Sequence, residues 1–252
     1  MKAYAKANLF LKLIGLDERN YHLLHSRFIL LEDFFDELFL STEKSKTGFE
    51  LISDFYCEDN IIFKAFNALC KAGFKNELEE CFSKYSLKLI KNIPQGGGLG
   101  GGSSDAACFL MLMNETLNLK IPQEKLMQIG FSLGSDVPFF LSQYKCAHVS
   151  GTGQFITEFE DDLPKLEFIF PAIECKTPLI YQEFDHNPHD YKANEKLALK
   201  LLTLKNHELF EYKNTELNDL FTPCINLYPK MLSFMQENFF LSGSGSSVFK
   251  VV

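Results

Sequence analysis

Residues 93–107 read IPQGGGLGGGSSDAA, and six of the seven positions from Gly96 to Gly102 are glycine. Glycine loses more backbone freedom on folding than any other residue, so so dense a run needs a backbone that side chains would obstruct. The run joins an apolar, strand-like segment, SLKLIKNIP, to a helix-like one, SSDAACFLMLMNETLNL. A helix start presents unpaired N–H groups and a partial positive charge. Glycines ahead of it let backbone amides reach an anion with no Cβ in the way. The chemistry served by this spacing is phosphate binding, and a flexible loop is the bland alternative. A Walker A loop is excluded, because Gly96 and Gly101 have its spacing but Gly102 stands where it needs lysine. Gly96, Gly98 and Gly101 match a dinucleotide fingerprint. In so rich a run that match carries little weight, and Pro94 breaks the required βαβ setting.

Other residues could do chemistry, each with an ordinary reading beside the functional one. Asp136 could act as a base, yet Ser135-Asp136-Val137-Pro138 also reads as the N-cap of a short helix. Lys6, alone on an N-terminal strand, reads as a solvated face residue. Tyr21 reads as a half-buried strand residue, and His22 with His25 as an accidental pair. His186 and His189 flank an Asn-Pro turn, and neither histidine pair has the further ligands of a metal site. Residues 242–247, SGSGSS, form either a hairpin turn or a second glycine motif.

The elements that must position these residues read as an α+β chain. NLFLKLIGL is a strand, LDERN a turn, YHLLHSRFILL a second strand or short helix, and FFDELFLS and GFELIS further antiparallel strands. EDNIIFKAFNALCKAG has helical spacing and ends at Gly73. SLKLIKNIP is a strand, the segment after the glycines a buried central helix, and IPQEKLMQIGFSLG a helix ending at Gly134. KCAHVSGTGQFITEF and LEFIFPAIECKT are strand-like, Tyr191 to Asn238 mostly helical, and FFLSGSGSSVFKVV a strand, turn and strand.

Composition bounds the function. The chain has 252 residues, 46% hydrophobic and 23% charged, enough for one large domain or two small ones. Net charge −8 argues against a nucleic-acid or anionic-membrane surface, though not against a small anion held by local amides and lysines. The seven cysteines (57, 70, 81, 108, 146, 175 and 224) form no CxxC pair, so neither zinc nor a disulfide framework is indicated. The apolar N-terminal stretch is interrupted by Lys12 and shows no cleavage site. A soluble cytoplasmic protein with reduced thiols is expected. The 26 phenylalanines and absent tryptophan read as compositional drift.

The motif PQGGGLGGGSSDAA resembles the central motif of the GHMP kinases (galactose, homoserine, mevalonate and phosphomevalonate kinases), whose loop wraps ATP phosphates. Four further segments fit in order from residue 5 to residue 249: AKANLFLKLIG followed by YH, LGSDVPFF, ELNDLF and LSGSGSSVF. The doubled glycine form and the YH segment resemble the branch acting on a cytidylyl-linked methylerythritol alcohol in the non-mevalonate route to isoprenoid precursors. The resemblance implies a two-lobed GHMP kinase fold: an N-terminal ATP-binding lobe, residues 1–155, and a smaller, C-terminally trimmed α+β lobe, residues 156–252. It implies ATP as phosphoryl donor, Mg²⁺, a cytidylyl alcohol as substrate and no obligate protein partner.

Carried over by position, the resemblance makes Asp136 the acid-base residue and Lys6 its partner, polarising the substrate hydroxyl. Pro94, Gln95, Gly96, Gly97, Gly98, Leu99, Gly100, Gly101, Gly102, Ser103 and Ser104 would bind the ATP phosphates, and Asn60 and Lys91 the adenine. Asn8, Tyr21 and His22 would contact the second substrate. No protein metal ligand is assigned. Two features depart from the family: Arg19-Asn20 stands where it usually has Asp-Gly, and the chain runs only three residues past Phe249. Asn20 tolerates a left-handed turn and can replace that glycine. Open alternatives are another GHMP-type kinase, of the homoserine or mevalonate class, and a catalytically silent nucleotide-binding protein on the same fold.

Overall fold

The computed structural model describes residues 1–55, 60–236 and 238–252. Cys57, Glu58 and Asp59, the last two opening the expected helix EDNIIF, lie outside the described residues, as does Glu237. The chain forms two compact units. One comprises Met1–Ala5, Leu31–Ile93 and Gly100–Gln143, the other Lys6–Leu30, Pro94–Leu99 and Tyr144–Val252. The sequence reading divides the chain once, after residue 155, whereas both units draw on several stretches. The strands β1 (Lys2–Leu16) and β2 (His22–Ser41) contribute to both.

In the first unit the far half of β2 carries an antiparallel partner; YHLLHSRFILL, expected as a strand or short helix, and FFDELFLS, expected as a further strand, run together from His22 as the one strand β2. β3 (Leu51–Ser53) precedes α1 (Ile61–Leu69), whose Ile62, Ala65 and Leu69 are buried at helical spacing. Gly73 does not end the helical stretch. With φ 105° it kinks a π turn, Cys70–Phe74, into α2 (Lys75–Lys84), which buries Leu78, Cys81 and Phe82. Next, β4 (Ser86–Ile90) pairs with β2 from Glu37↔Ile90 to Ser41↔Ser86 and runs parallel to β3.

The glycine run then leads into α3 (Gly101–Thr116), buried continuously from Ser104 to Leu110 and again at Met113. Such all-round burial explains why its sequence is apolar on nearly every face. The phenylalanines are core here: Phe49 stacks on Phe66 at 4.4 Å and meets Phe82 edge-on at 4.7 Å. α4 (Gln123–Leu133) ends at Gly134, and α5 (Val137–Ser142) follows. A Cβ on Gly130 would stand 2.9 Å from Val137 Cγ1, so this glycine is what lets α5 lie against α4.

In the second unit the near half of β2 pairs antiparallel with β5 (Cys146–Gly151), which pairs with β6 (Phe155–Glu158). β7 (Leu166–Ile169) is followed by α6 (Thr177–His186), a helix absent from the sequence reading, and by α7 (Tyr191–Thr203). Three short helices come next: α8 (Asn206–Leu209), α9 (Asn214–Leu217) and α10 (Phe221–Leu227). A 3₁₀ turn, Pro229–Phe234, leads to β8 (Phe240–Leu241) and β9 (Val248–Val251), which join β7 in a three-stranded antiparallel sheet ordered β7-β9-β8. Leu13, Ile180, Phe184, Leu220, Met231 and Val248 centre this unit's core.

Two buried cations tie the second unit together. Arg27 donates to the carbonyls of Leu202 (2.9 Å) and Leu204 (2.8 Å), satisfying the C-terminal end of α7, and lies 3.8 Å over the Phe159 ring. Lys12, which interrupts the apolar N-terminal stretch, is 2% exposed and paired with Asp219. Among the described residues no helix is long and apolar enough to cross a membrane.

Candidate active site

The glycine run alternates its backbone conformation. φ is positive at Gly96 (67°), Gly98 (72°) and Gly100 (71°), and not at the two residues between them. This alternation turns successive amides toward a common concavity. Gly100 is the N-cap of α3 without any side-chain cap, so the helix's first amides are available just where the run ends.

The back of the run is held by the protein itself. Lys6 N donates to Leu99 O at 2.9 Å, and Ser246 N and Ser247 N donate to Gly96 O and Gly97 O at 3.3 and 3.2 Å. A Cβ on Gly98 would stand 2.7 Å from Ser242 O and 3.0 Å from Gly245 O, and one on Gly97 2.5 Å from Ser247 Oγ. The SGSGSS turn is therefore the wall behind the loop. In turn, Asn218 of the NDL segment donates to Leu241 O (3.1 Å) and Gly243 O (2.8 Å) and holds that wall.

The outer side is open. Among the described residues a Cβ on Gly102 would meet only Ile61 Cγ2, at 3.8 Å, and one on Gly96 only Glu174 Cγ, at 4.0 Å. Gly102 is exposed inside a helix, where internal packing has no need of glycine. A group lying outside the chain does have that need, and a phosphate fits the donor set. Gln95 is exposed, Pro94 half-buried and Leu99 buried at 1%. Ser104 is buried, its amide donating to Gly100 O at 2.8 Å. Ser103 Oγ would lie 3.6 Å from a Cβ on Gly134, so the start of α3 abuts the turn that carries Asp136.

Asp136 occupies the N-cap position of α5, but its side chain makes no capping bond. The capping explanation for an aspartate here thus loses its support. Lys6 is not a solvated face residue: it is 4% exposed, with Nζ donating to Asn8 Oδ1 at 2.7 Å and lying 4.7 Å over the Phe28 ring. Asn8, 3% exposed, donates from Nδ2 to Ser26 Oγ at 3.1 Å, and Ser26 donates to Phe10 O. Asn8 therefore holds the Lys6 ammonium. Ser26 and Phe28 were missed in the sequence because only the pairing of β2 with β1 brings them to Lys6.

Asn60 caps α1, its Oδ1 accepting from Ile62 N at 3.0 Å. Lys91 is committed to carboxylates, paired with Asp36 and, at 2.7 Å, with Asp105. Burial pushes the Asp105 carboxyl up to about 7, against the pull of Lys91.

In the second unit Tyr21 is 62% exposed instead of half-buried. Asn20 has φ 63°, the left-handed turn expected of it, and Asp17 Oδ1 accepts from Arg19 N and Tyr21 N at 2.9 Å each. His22 packs against Tyr181 and Phe184, at 5.0 and 5.8 Å between ring centroids. Its Nε2 lies 2.8 Å from Asp185 Oδ1. Tyr181 and Asp185 come from α6, so they could be found only by reading TPLIYQEFDH as a helix, with Pro178 at its start and Ile180 and Phe184 four residues apart.

Known proteins agree with this architecture. Residues 60–144 match the GHMP kinases N terminal domain. A 4-diphosphocytidyl-2-C-methyl-D-erythritol kinase of Campylobacter jejuni subsp. jejuni strain 81116 is 59% identical, covering 100% of this chain and 99% of its own. One from Sulfurimonas denitrificans is 42% identical over 99% of this chain and 96% of its own. The crystal structure of a 4-(cytidine 5'-diphospho)-2C-methyl-D-erythritol kinase superposes with a TM-score of 0.69 at 26% identity, over 100% of this chain and 89% of that one. With identity this high along its whole length, the chain belongs to the 4-diphosphocytidyl-2-C-methyl-D-erythritol kinase family of the GHMP kinases.

Proposed function

We propose that this chain is a cytoplasmic, ATP-dependent kinase that phosphorylates the 2-hydroxyl of 4-diphosphocytidyl-2-C-methyl-D-erythritol in the non-mevalonate route to isoprenoid precursors. The observation that carries the ATP reading is the alternating left-handed backbone at Gly96, Gly98 and Gly100 running straight into α3. It gathers backbone donors for phosphate oxygens with no reorganisation at the moment of transfer.

In this reading the phosphoryl group leaves ATP for the alcohol oxygen, and Asp136 takes the proton that the hydroxyl gives up. The buried Lys6 ammonium, fixed by Asn8, polarises the same hydroxyl. Mg²⁺, where present, would neutralise phosphate charge, and the Ser103 or Ser104 hydroxyl would be the serine oxygen within the loop able to join its ligands. Exposed Tyr21 offers a stacking face for the cytosine, and His22 a hydrogen-bonding edge. The adenine is assigned to the neighbourhood of Asn60 and Lys91. The phosphate loop and both catalytic groups fall in the lobe assigned to residues 1–155, with residues 156–252 as the smaller lobe.

A coupled ADP-release assay with a panel of alcohols tests this. Turnover with the cytidylyl alcohol, and little with mevalonate or homoserine, is expected. Preference for mevalonate or homoserine would refute the substrate, and no ADP release with any alcohol would refute the kinase reading.

A further inference from the structure

The loop's amides act only if both stems of the loop are held, and the stems are held by a buried charge cluster whose two carboxylates, Asp36 and Asp105, have no part in the reaction proposed above. Asp36 of β2 is fully buried. Its Oδ1 accepts from Asn92 N at 2.6 Å and from Ile93 N at 2.8 Å, the last residues before the glycine run. Its other oxygen pairs with Lys91 Nζ, and the same ammonium donates to Asp105 Oδ2 at 2.7 Å. Asp105 lies in the first turns of α3, the stem by which the run ends. A Cβ on Gly101 would stand 3.1 Å from Ile93 Cγ2 and 3.5 Å from Lys91 Nζ, so the stems abut at that glycine.

The cluster is costly. Asp105 is 3% exposed, and its Oδ1 is a buried acceptor with no hydrogen-bond partner among the described residues. Replacing such ionic clusters with apolar groups is often neutral or stabilising, so stability alone does not account for it. We infer that Asp36, through Lys91 and Asp105, is a positioning residue for phosphoryl transfer: it clasps the two stems of the glycine loop and so fixes the amides that receive ATP. This inference rests on the ATP reading above and adds residues to it.

The two carboxylates separate clasp from scaffold. Asp36→Asn still accepts from the Asn92 and Ile93 amides but turns a donor toward Lys91. Asp105→Ala frees the α3 stem and leaves the Asp36–amide bonds alone, while Asp105→Asn restores an acceptor for Lys91. Calorimetry with a non-hydrolysable ATP analogue, well below each variant's melting temperature, should show about tenfold weaker binding for Asp36→Asn and Asp105→Ala, the scale of one lost charged hydrogen bond. Asp105→Asn should stay within about threefold of wild type on the same scale. The KM for the cytidylyl alcohol should not change.

If Asp36→Asn does not fold, Asp105→Ala decides, since it removes a buried carboxyl whose charged form burial disfavours. Wild-type affinity in Asp105→Ala or in folded Asp36→Asn overturns the clasp, and so does an equal loss for both substrates. Absence of analogue binding by wild type itself refutes the underlying ATP reading instead.

Discussion

Gly102→Ala asks whether the loop's glycines serve the protein or its ligand. Gly102 is exposed in the first turn of α3, its φ is not in the left-handed region, and among the described residues an added methyl would meet only Ile61 Cγ2, at 3.8 Å. Nothing among the described residues opposes alanine. Alanine is about 0.8–1.0 kcal/mol better than glycine in a helix interior, so stability should rise by roughly 0.5–1 kcal/mol. For a chain of this size that is a melting temperature higher by about 1–4 °C. If the phosphates rest against the start of α3, the same methyl pushes them off the amides. Loss of one hydrogen bond to a charged group, about 1.5–3 kcal/mol, weakens ATP by roughly 10–100-fold. Differential scanning fluorimetry and calorimetry with an ATP analogue read the two effects on one sample. A higher melting temperature with affinity unchanged within about twofold would show that no phosphate lies against Gly102.

Gly98→Ala should behave oppositely, losing stability and ATP affinity together. Its left-handed backbone alone costs alanine about 1–2 kcal/mol, and the methyl would also meet the carbonyls of Ser242 and Gly245. Asp136→Asn should lower turnover about 10²–10⁴-fold, the range for a general base. Near-normal turnover in the folded variant would remove Asp136 from the mechanism. Tyr21→Ala should raise the KM for the cytidylyl alcohol about 10–100-fold, the scale of one base stack, and leave ATP alone. Wild-type turnover should also be inhibited by CDP, and failure of both tests would refute the stacking site. Asp105 predicts a pH dependence. Its folded-state pKa is raised from 3.8 to about 7, so its stabilising contribution is complete below 3.8 and lost as pH rises through 7. Asp105→Asn should flatten part of the fall in melting temperature across that window, while Asp219, also raised by burial, keeps its share in the variant. An unchanged profile would mean that Asp105 does not titrate there.

The loop, the central helix and the C-terminal glycine turn were legible because their constraints are local. A loop that turns left-handed at Gly96, Gly98 and Gly100 needs glycine, an all-round buried helix is apolar on every face, and Asn20 announces its left-handed turn. The supports were not legible, because pairing and packing create them. Ser26 and Phe28 look like ordinary strand residues until β2 lies beside β1, and Asp36 looks like a solvated acid until the stems close on it. Lys91 carries its charge to two carboxylates, which nothing adjacent in sequence foretells. The missed helices had a different cause. α2 shows buried Leu78, Cys81 and Phe82 at spacings of three and four, but Gly73 reads as a stop where the chain only kinks.

The wall behind the loop has a consequence for the order in which the molecule can be made. Asn8 N donates to Ser242 Oγ at 3.4 Å across 234 positions of sequence, and Gly96 and Gly97 are gripped by Ser246 and Ser247. Contacts so distant in sequence form late, after the loop-closure entropy has been met. On the ribosome the glycine run emerges long before the turn that backs it. Until the SGSGSS turn is free of the exit tunnel, the run has its glycines but no wall to hold them in left-handed alternation. A nascent chain can therefore complete much of its helical packing while still unable to grip a nucleotide, and the ability to bind should switch on abruptly only once the SGSGSS turn has packed behind the run.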